Sequence, residues 1–277
     1  MNYLHRWIIV GIAGASVCGA SWAATIVERR DIDGKEQKLI MDKQHVRINE
    51  HELNYYTQIN LDERKVYLVN KKKKRIIEMD IKGTPPKLPQ NMPKPPKPPW
   101  GDSVRAKLVK QGQGPKIAGY LTMHYQVNAF DPVNARSVTC SDNYFSEKAA
   151  QKVAYLNEFI KIMFEMSNSR KINGMPVSFC QQAFHEVEVE SMKLGIPMKT
   201  VIKGGKMGDR VKHEITRIQT DAKVSADTFV LPRYDDKISE QEMRKKMQKA
   251  MMKRMEEAKQ RGDQRYGPPG GSYNPPR

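Results

Sequence analysis

The feature that most constrains this chain is a series of short segments, from Ala24 to Asp80, in which apolar and polar residues alternate. β-Branched and aromatic residues fill the segments, and turn-forming pairs such as Asp33-Gly34 separate them. Such alternation is typical of strands with one face buried and one face in water. The pattern therefore predicts a meander of antiparallel strands, with Arg47 and Gln58 on the face that meets water.

The proline-rich segment, residues 84–101, interrupts this pattern with eight prolines. Proline cannot donate a hydrogen bond to a sheet and favours polyproline II, so we expect an exposed spacer or loop. P-x-x-P patterns such as Pro93 to Pro96 are also ligands of proline-binding modules, and this alternative stays open. Alternation resumes over residues 117–127, which predicts that the segment interrupts a single sheet.

A long helix is predicted over residues 147–166. Ser146 is a good N-cap residue, and apolar residues follow at helical spacing from Ala149 to Met163. The apolar stripe is wider than that of an ordinary surface helix. We therefore expect this helix to be buried against a curved surface.

The remainder of the chain mixes strand and helix patterns. Residues 178–191 fit either a short helix or a strand, and Ser239-x-x-Glu242 matches a capping box that predicts a helix over 238–260. Residues 261–277 are rich in Gly and Pro and have too few apolar residues to fold. Three more strands are predicted, over 196–203, 209–219 and 228–231.

Residues 1–23 have the pattern of a secretory signal peptide. A short basic start precedes an apolar stretch over residues 7–20, and Ser21-x-Ala23 supplies the small residues that cleavage requires. We expect cleavage after Ala23 and a periplasmic location. An uncleaved membrane anchor is the alternative, although the stretch is shorter than the ~20 apolar residues that span a bilayer.

The net charge limits the class of partner. The chain carries 48 Lys and Arg against 31 Asp and Glu, a net charge of +17. An exported basic protein meets anionic lipid and cell wall, and no nucleic-acid-binding motif surrounds the basic run at 71–75. We therefore expect an anionic membrane surface or an envelope protein as partner, and no nucleic acid.

Two cysteines, Cys140 and Cys180, remain after removal of the signal. In an oxidising compartment they are expected to form a disulfide with each other. Two buried free thiols and an intermolecular bridge are the alternatives.

The sequence offers little catalytic or metal-binding chemistry. His185-Glu186 begins the run HEVEVE, which lacks the second histidine of H-E-x-x-H. If this run is a strand, Glu186, Glu188 and Glu190 share one solvated face. The sequence contains no G-x-S-x-G, no P-loop and no paired cysteines for zinc, so we expect no enzyme, no cofactor and no metal site.

The helix predicted over 238–260 combines methionines at one-turn spacing with many basic residues. Such a helix is suited to lie on an anionic membrane or to dock into a partner's groove. A solvated tail and Cu(I) binding by the thioethers are the alternatives. The residues expected to contact a membrane or partner are Met243, Arg244, Lys245, Met247, Met251, Lys253, Arg254 and Met255.

Several short motifs occur in a characteristic order: Ile117-Ala118-Gly119-Tyr120 and Tyr125-x-Val127, then Gly195-Ile196-Pro197-Met198-Lys199, then Phe229-Val230-Leu231-Pro232. Over residues 24–235 this order resembles the LolA/LolB-like periplasmic lipoprotein-carrier superfamily, in a branch known only as a domain of unknown function. The resemblance implies an α+β fold in which an incomplete antiparallel β-barrel, a curved sheet, wraps around a central helix and leaves an apolar cavity. The proline-rich segment and the basic tail depart from the family.

The inner positions of the sheet and the apolar face of the helix supply the candidate ligand pocket. These candidates are Leu53, Tyr55, Leu121, Met123, Tyr125, Leu156, Phe159, Ile160, Met163, Met198 and Ile202. The sequence thus predicts a non-enzymatic periplasmic protein that binds a lipid or acyl chain, or presents an apolar surface at the envelope. The alternative is a structural or assembly factor with a filled core, which binds another envelope protein through the proline-rich segment and the basic tail.

Overall fold

The structure is a computed structural model of the 277-residue chain. It describes residues 21–50, 54–83, 104–131, 133, 135–169, 178–204 and 208–260. The proline-rich segment, residues 261–277, Leu53 and all but the last three residues of the predicted signal peptide lie outside these ranges. The expectations for them stay predictions.

Within the described residues, twelve strands form one curved sheet that does not close. The strands are β1 (Ser21–Asp31), β2 (Glu36–Met41), β3 (His45–Glu50), β4 (Tyr55–Asn60), β5 (Lys65–Asn70), β6 (Arg75–Asp80), β7 (Arg105–Gln113), β8 (Met123–Asp131), β9 (Arg136–Ser146), β10 (Ile196–Ile202), β11 (Arg210–Ser225) and β12 (Asp236–Ser239). Their order across the sheet is β12-β6-β5-β4-β3-β2-β1-β11-β10-β9-β8-β7. The meander predicted over residues 24–80 is therefore present as β1 to β6.

Neighbouring strands are antiparallel except β12, which runs parallel to β6. β1 pairs with β11 and thereby joins the first six strands to the rest of the sheet. The expected half-barrel is confirmed in coarser form, as a curved open sheet in an α+β protein, although the sheet is mixed. The expectation that the sheet wraps around one central helix stays a prediction.

Five helices accompany the sheet within the described residues. They are α1 (Glu147–Lys152), α2 (Ala154–Ser169), α3 (Phe179–Glu186), α4 (Glu188–Ser191) and α5 (Glu240–Gln260). The single helix predicted over 147–166 is divided at Val153, whose φ of −127° and ψ of 67° are not helical. Ser146 caps α1 as expected, because its Oγ accepts a hydrogen bond of 3.3 Å from the Ala149 N–H. Val153 is fully buried at the break.

Residues 178–191 are helical, which decides between the two alternatives left by the sequence. A capping box at Ser178 begins α3, because Ser178 N–H donates to Gln181 Oε1 at 2.9 Å and Gln181 N–H donates to Ser178 Oγ at 3.3 Å. The strand interpretation of HEVEVE is therefore wrong. The predicted disulfide between Cys140 and Cys180 is confirmed, and it holds α3 against β9.

The strand predicted over 117–127 begins only at Met123, so the first half of that prediction is wrong. Ala118 and Gly119 have φ values of 47° and 88°, and Ile117 and Tyr120 exchange two backbone hydrogen bonds of 2.9 Å around them. This two-residue turn has the left-handed geometry that glycine adopts readily. The alternating pattern therefore runs through a turn before it enters β8.

The face of the sheet opposite the helices is covered by the chain itself. Gln58 is buried there, and its Nε2 donates to the Phe229 carbonyl at 2.6 Å, while Arg47 Nη1 donates to the Thr228 carbonyl at 2.7 Å. The strand predicted over 228–231 is wrong, because a 3₁₀ turn at Ala226–Phe229 lies across this face. The expectation that this face meets water is wrong for this part of the sheet, because an apolar cluster is buried there. The cluster consists of Tyr56, Tyr67, Val69, Ile76, Leu231 and Tyr234.

The chain returns to the sheet after Pro232 and adds β12 at its edge. Arg75 Nε donates to Asp236 Oδ2 at 2.5 Å, and Lys237 Nζ lies 2.7 Å from Glu78 Oε2. The capping box expected at Ser239 forms, since Glu242 N–H donates to Ser239 Oγ at 3.2 Å. α5 therefore begins directly at the edge of the sheet.

Candidate functional site

A cavity of about 730 Å³ lies between the sheet and the helices α2, α3 and α4. This volume falls within the ~300–1,000 Å³ typical of small-molecule sites. The sheet contributes apolar side chains from seven strands, and the helices contribute the facing wall. The apolar residues of the sheet wall are Val27, Leu39, Leu108, Val127, Phe145, Pro197 and Ile215.

The helical wall comes mainly from α2. Leu156, Phe159, Ile160 and Met163 follow the i, i+3, i+4, i+7 spacing that places side chains on one face of a helix. Leu156 and Phe159 are buried in the core, whereas Ile160 and Met163 are only partly buried. α2 therefore anchors itself with one part of its apolar face and leaves the other part at the cavity.

The far end of α2 is tied to the first half of the sheet. Ser169 Oγ donates to the Ile81 carbonyl at 3.0 Å, and Glu165 forms an ion pair with Arg64. These contacts fix the position of α2 across the cavity.

A second part of the helical wall comes from α3 and the residues that follow it. Phe184 and Val187 line the cavity, and the Cys140–Cys180 disulfide attaches this wall to β9. The Lys212 ammonium lies 5.7 Å from the centre of the Phe184 ring, within the range of a cation–π contact. Lys212 therefore brings a positive charge to the cavity where α3 meets β11.

One end of the cavity is lined by a row of polar side chains that crosses five adjacent strands. We call this the polar row, and it consists of Gln37, Arg29, His213, Thr200 and Asn143. The strand register explains two parts of the row, because Arg29 pairs with Gln37, while His213 pairs with Thr200 and Thr200 pairs with Asn143. The row is offset between β1 and β11, where Arg29 pairs with Ile215 and His213 pairs with Asp31.

Hydrogen bonds connect members of the polar row to one another and to the backbone. Arg29 Nε donates to Gln37 Oε1 at 2.7 Å, and Thr200 Oγ1 donates to Asn143 Oδ1 at 3.0 Å. His213 Nε2 lies 3.0 Å from the Pro197 carbonyl oxygen. These bonds give each side chain of the row a defined orientation.

The environment of His213 keeps its imidazole neutral. Burial lowers the pKa of His213 to about 4, and the positive charges of Arg29 and Lys212 lower it further, while the bond to Pro197 opposes these effects. A neutral His213 donates its Nε2 proton to the Pro197 carbonyl. The fixed positive charges at this end of the cavity are therefore those of Arg29 and Lys212.

The structure brings together four of the pocket candidates named from the sequence. Leu156, Phe159, Ile160 and Met163 all lie at the cavity wall. The spacing of these residues on a helix made them recognisable from the sequence.

The described candidates on the sheet do not line this cavity. Tyr55 is 41% exposed at the beginning of β4, and Leu121 is 50% exposed because it follows the turn at residues 117–120. Met198 is fully buried in the core rather than exposed to the cavity. Met123, Tyr125 and Ile202 also line no part of this cavity.

Sequence reasoning missed the polar row and the α3 wall. Thr200 and His213 fall within strands that were predicted, but their common level depends on pairings between distant segments. A polar residue on the otherwise apolar face of a strand, such as Arg29 two residues after Val27, is the signal that could have identified the row.

The basic and methionine residues of α5 form a surface of their own. Met247 and Met251 are 63% and 52% exposed, and Met243 is partly buried. Lys245 and Lys253 are exposed, Arg254 is exposed, and Arg244 donates from Nη2 to Glu240 Oε1 at 2.6 Å. Met255 belongs to α5, but its side chain lies outside what the structure describes.

The location of the protein is addressed by two observations. The Cys140–Cys180 disulfide fits an oxidising compartment such as the periplasm. No helix in the described part of the chain is both long enough and apolar enough to cross a membrane.

The solved structures that resemble this chain include two weak likenesses. No protein-family model matches the chain, and no curated protein matches it. An uncharacterized conserved protein from Thermus thermophilus is 9% identical, with a TM-score of 0.35, over 80% of this chain and 90% of that one. A putative outer membrane lipoprotein-sorting protein domain from Vibrio parahaemolyticus is 7% identical, with a TM-score of 0.23, over 76% of this chain and 88% of that one. Both TM-scores are below 0.5, so neither likeness supports an argument about the function of this chain.

Proposed function

We propose that this protein is a non-enzymatic binding protein of the cell envelope, which holds an acyl chain or similar lipid in the cavity between the sheet and α2. The observation that carries the proposal is the cavity of about 730 Å³ with apolar side chains on both walls. Protein interiors are close-packed and contain few voids larger than a water molecule. A cavity of this size lined by Leu39, Ile160 and Met163 is suited to an elongated apolar ligand.

The same observation favours a ligand-binding role over a structural factor with a filled core. α2 leaves Ile160 and Met163 partly buried at the cavity. Covering these side chains with an acyl chain would remove apolar surface from water, which stabilises a complex by ~25 cal/mol for each Å² buried. A filled core would leave no such surface.

A second part of the proposal concerns α5. We propose that α5 holds the protein at an anionic membrane surface. Met243, Met247 and Met251 recur every four residues and share one side of the helix, whereas Lys245, Lys249 and Lys253 share the opposite side. This separation of thioether and ammonium groups is the pattern of a helix that lies in a lipid interface.

An acyl-chain fluorescence titration of the full-length protein tests the cavity. The Met163→Arg variant places a charge at the cavity wall and is expected to reduce probe affinity at least about tenfold, because burying a charge against an acyl chain is costly. Met123→Arg is the matched control, since Met123 is also partly buried but lies outside the cavity. It is expected to bind the probe as the wild type does.

Wild-type binding by both variants would place the probe on another surface and contradict the proposal. Absence of binding by a wild-type protein that unfolds cooperatively would support the filled-core structural role instead.

A further inference from the structure

The exposed methionines of the described part of the chain are concentrated on one helix. Met247, Met251 and Met252 are each more than half exposed, and all three lie on α5. Every other methionine whose side chain the structure describes is partly or fully buried, with Met41 and Met198 fully inside the core. Among these side chains, a dissolved oxidant therefore reaches the thioethers of α5 first.

A methionine thioether reacts with hydrogen peroxide by transfer of one oxygen atom. The S–O bond forms as the O–O bond breaks, so the sulfur is oxidised by two electrons to a sulfoxide and the peroxide is reduced to water. The product is polar and uncharged, and methionine sulfoxide reductases convert it back. An exposed methionine can therefore switch between an apolar and a polar surface.

The two sides of α5 would respond differently to this reaction. Met247 and Met251 are one turn apart on the methionine side of the helix. Met252 follows Lys249 by three residues and Lys245 by seven, which places it on the lysine side. Oxidation of Met247 and Met251 would make the apolar side polar and leave the charge of the lysines unchanged.

We infer that Met247 and Met251 are oxidation sites through which peroxide weakens the attachment of α5 to an anionic membrane. This inference rests on the proposed membrane role of α5 and adds its regulation. Because both side chains are exposed, their oxidation takes no packing from the core, and the folded domain persists. The apolar part of the attachment is lost, and the electrostatic part remains.

The test is cosedimentation of the full-length protein with phosphatidylglycerol vesicles, before and after treatment with hydrogen peroxide. The oxidised wild type is expected to bind at least about tenfold more weakly, because two side chains of the buried side have become polar. A mixture of the two methionine sulfoxide reductases is expected to restore binding. Peptide mass spectrometry is expected to show sulfoxide at Met247 and Met251 before Met41 and Met198.

The decisive variant is Met247→Leu/Met251→Leu, since leucine keeps the apolar volume and has no sulfur to oxidise. It is expected to bind as the untreated wild type does and to keep this affinity after peroxide. Met252→Leu/Met123→Leu is the matched control, with two equivalent changes away from the methionine side of α5. The control is expected to lose binding after peroxide as the wild type does.

The outcomes separate this inference from the proposed membrane role. Unchanged vesicle binding by wild type that carries both sulfoxides, or equal loss of binding by the Met247→Leu/Met251→Leu variant, would overturn the inference and leave the membrane role in place. Oxidation of the buried methionines ahead of Met247 and Met251 would also overturn it. Failure of the untreated wild type to bind vesicles would overturn both.

Discussion

At the scale of single residues, His213 is the clearest case of a side chain whose ionisation is set by the fold. Its Nε2 lies 3.0 Å from the Pro197 carbonyl oxygen, and the positive charges of Arg29 and Lys212 disfavour its protonation. The pKa of His213 is about 4 in the folded protein, compared with an ordinary value of 6.5. A group that is harder to protonate in the folded state than in the unfolded state makes stability depend on pH.

The direction of this dependence follows from the lowered pKa. Above the ordinary pKa both states are neutral and His213 has no effect. As the pH falls from 6.5 towards 4, the unfolded state takes up the proton first, so the free energy of unfolding decreases. We expect a loss of about 2 kcal/mol between neutral pH and about pH 5, measured by urea unfolding of the full-length protein.

His213→Gln is the matched variant, because a glutamine side chain can donate to the Pro197 carbonyl and does not titrate. It is expected to lose about 2 kcal/mol less than the wild type over the same range. Identical pH profiles for the two proteins would show that His213 is not held neutral by burial.

The residues also show which side-chain contacts can be predicted from sequence. Cys140 and Cys180 could be paired because they are the two cysteines outside the predicted signal peptide, and together they offer one intramolecular disulfide. The bond between Thr200 and Asn143 could not be predicted in the same way. It depends on the register of β10 against β9, and α1 to α4 lie between those strands in the sequence.

At the scale of elements, α5 is the part of the molecule whose role is most separate from the cavity. It contacts the sheet near β12 and β6, and most of its methionine and lysine side chains are exposed. Each Lys or Arg close to an anionic bilayer contributes about 1 kcal/mol to binding. The residues from Arg244 to Arg254 include six cations and no acid.

Replacement of Lys245 and Lys249 by Gln in the full-length protein tests the membrane role. We expect cosedimentation with phosphatidylglycerol vesicles to weaken at least about tenfold, and we expect wild-type binding to fall as salt rises. Lys72 and Lys73, exposed in the turn between β5 and β6, provide a control pair with the same charge change. If both pairs of substitutions weaken binding equally, the attraction comes from net charge and not from α5.

Elements were predicted well where one local signal decided them. The capping box at Ser239 and the N-cap residue Ser146 marked helix starts, and period-two alternation identified the strands of β1 to β6. The errors have physical causes: the turn at Ala118 and Gly119 continues a strand-like alternation, and Val153 interrupts a sequence with helical spacing. The segment predicted as a strand over 228–231 carries apolar residues such as Leu231, but this residue packs against the back of the sheet.

At the scale of the whole molecule, the sheet is assembled from two parts that pair through β1 and β11. β1 contributes Val27 and Arg29 to the cavity, and β11 contributes His213 and Ile215. The cavity therefore exists only when this long-range pairing has formed. Local patterns indicated a curved sheet and a buried helix face, but the volume between them depends on how all the strands and helices pack.

The central claim is that this cavity holds an acyl chain in the native protein. Native mass spectrometry of the full-length protein, purified from the cells that produce it, tests the claim most directly. We predict a population whose mass exceeds that of the polypeptide by one acyl-containing molecule, and we predict that the Met163→Arg variant lacks it. Detection of the bare polypeptide alone, in a preparation that also fails to take up added hexadecanoate, would contradict the claim.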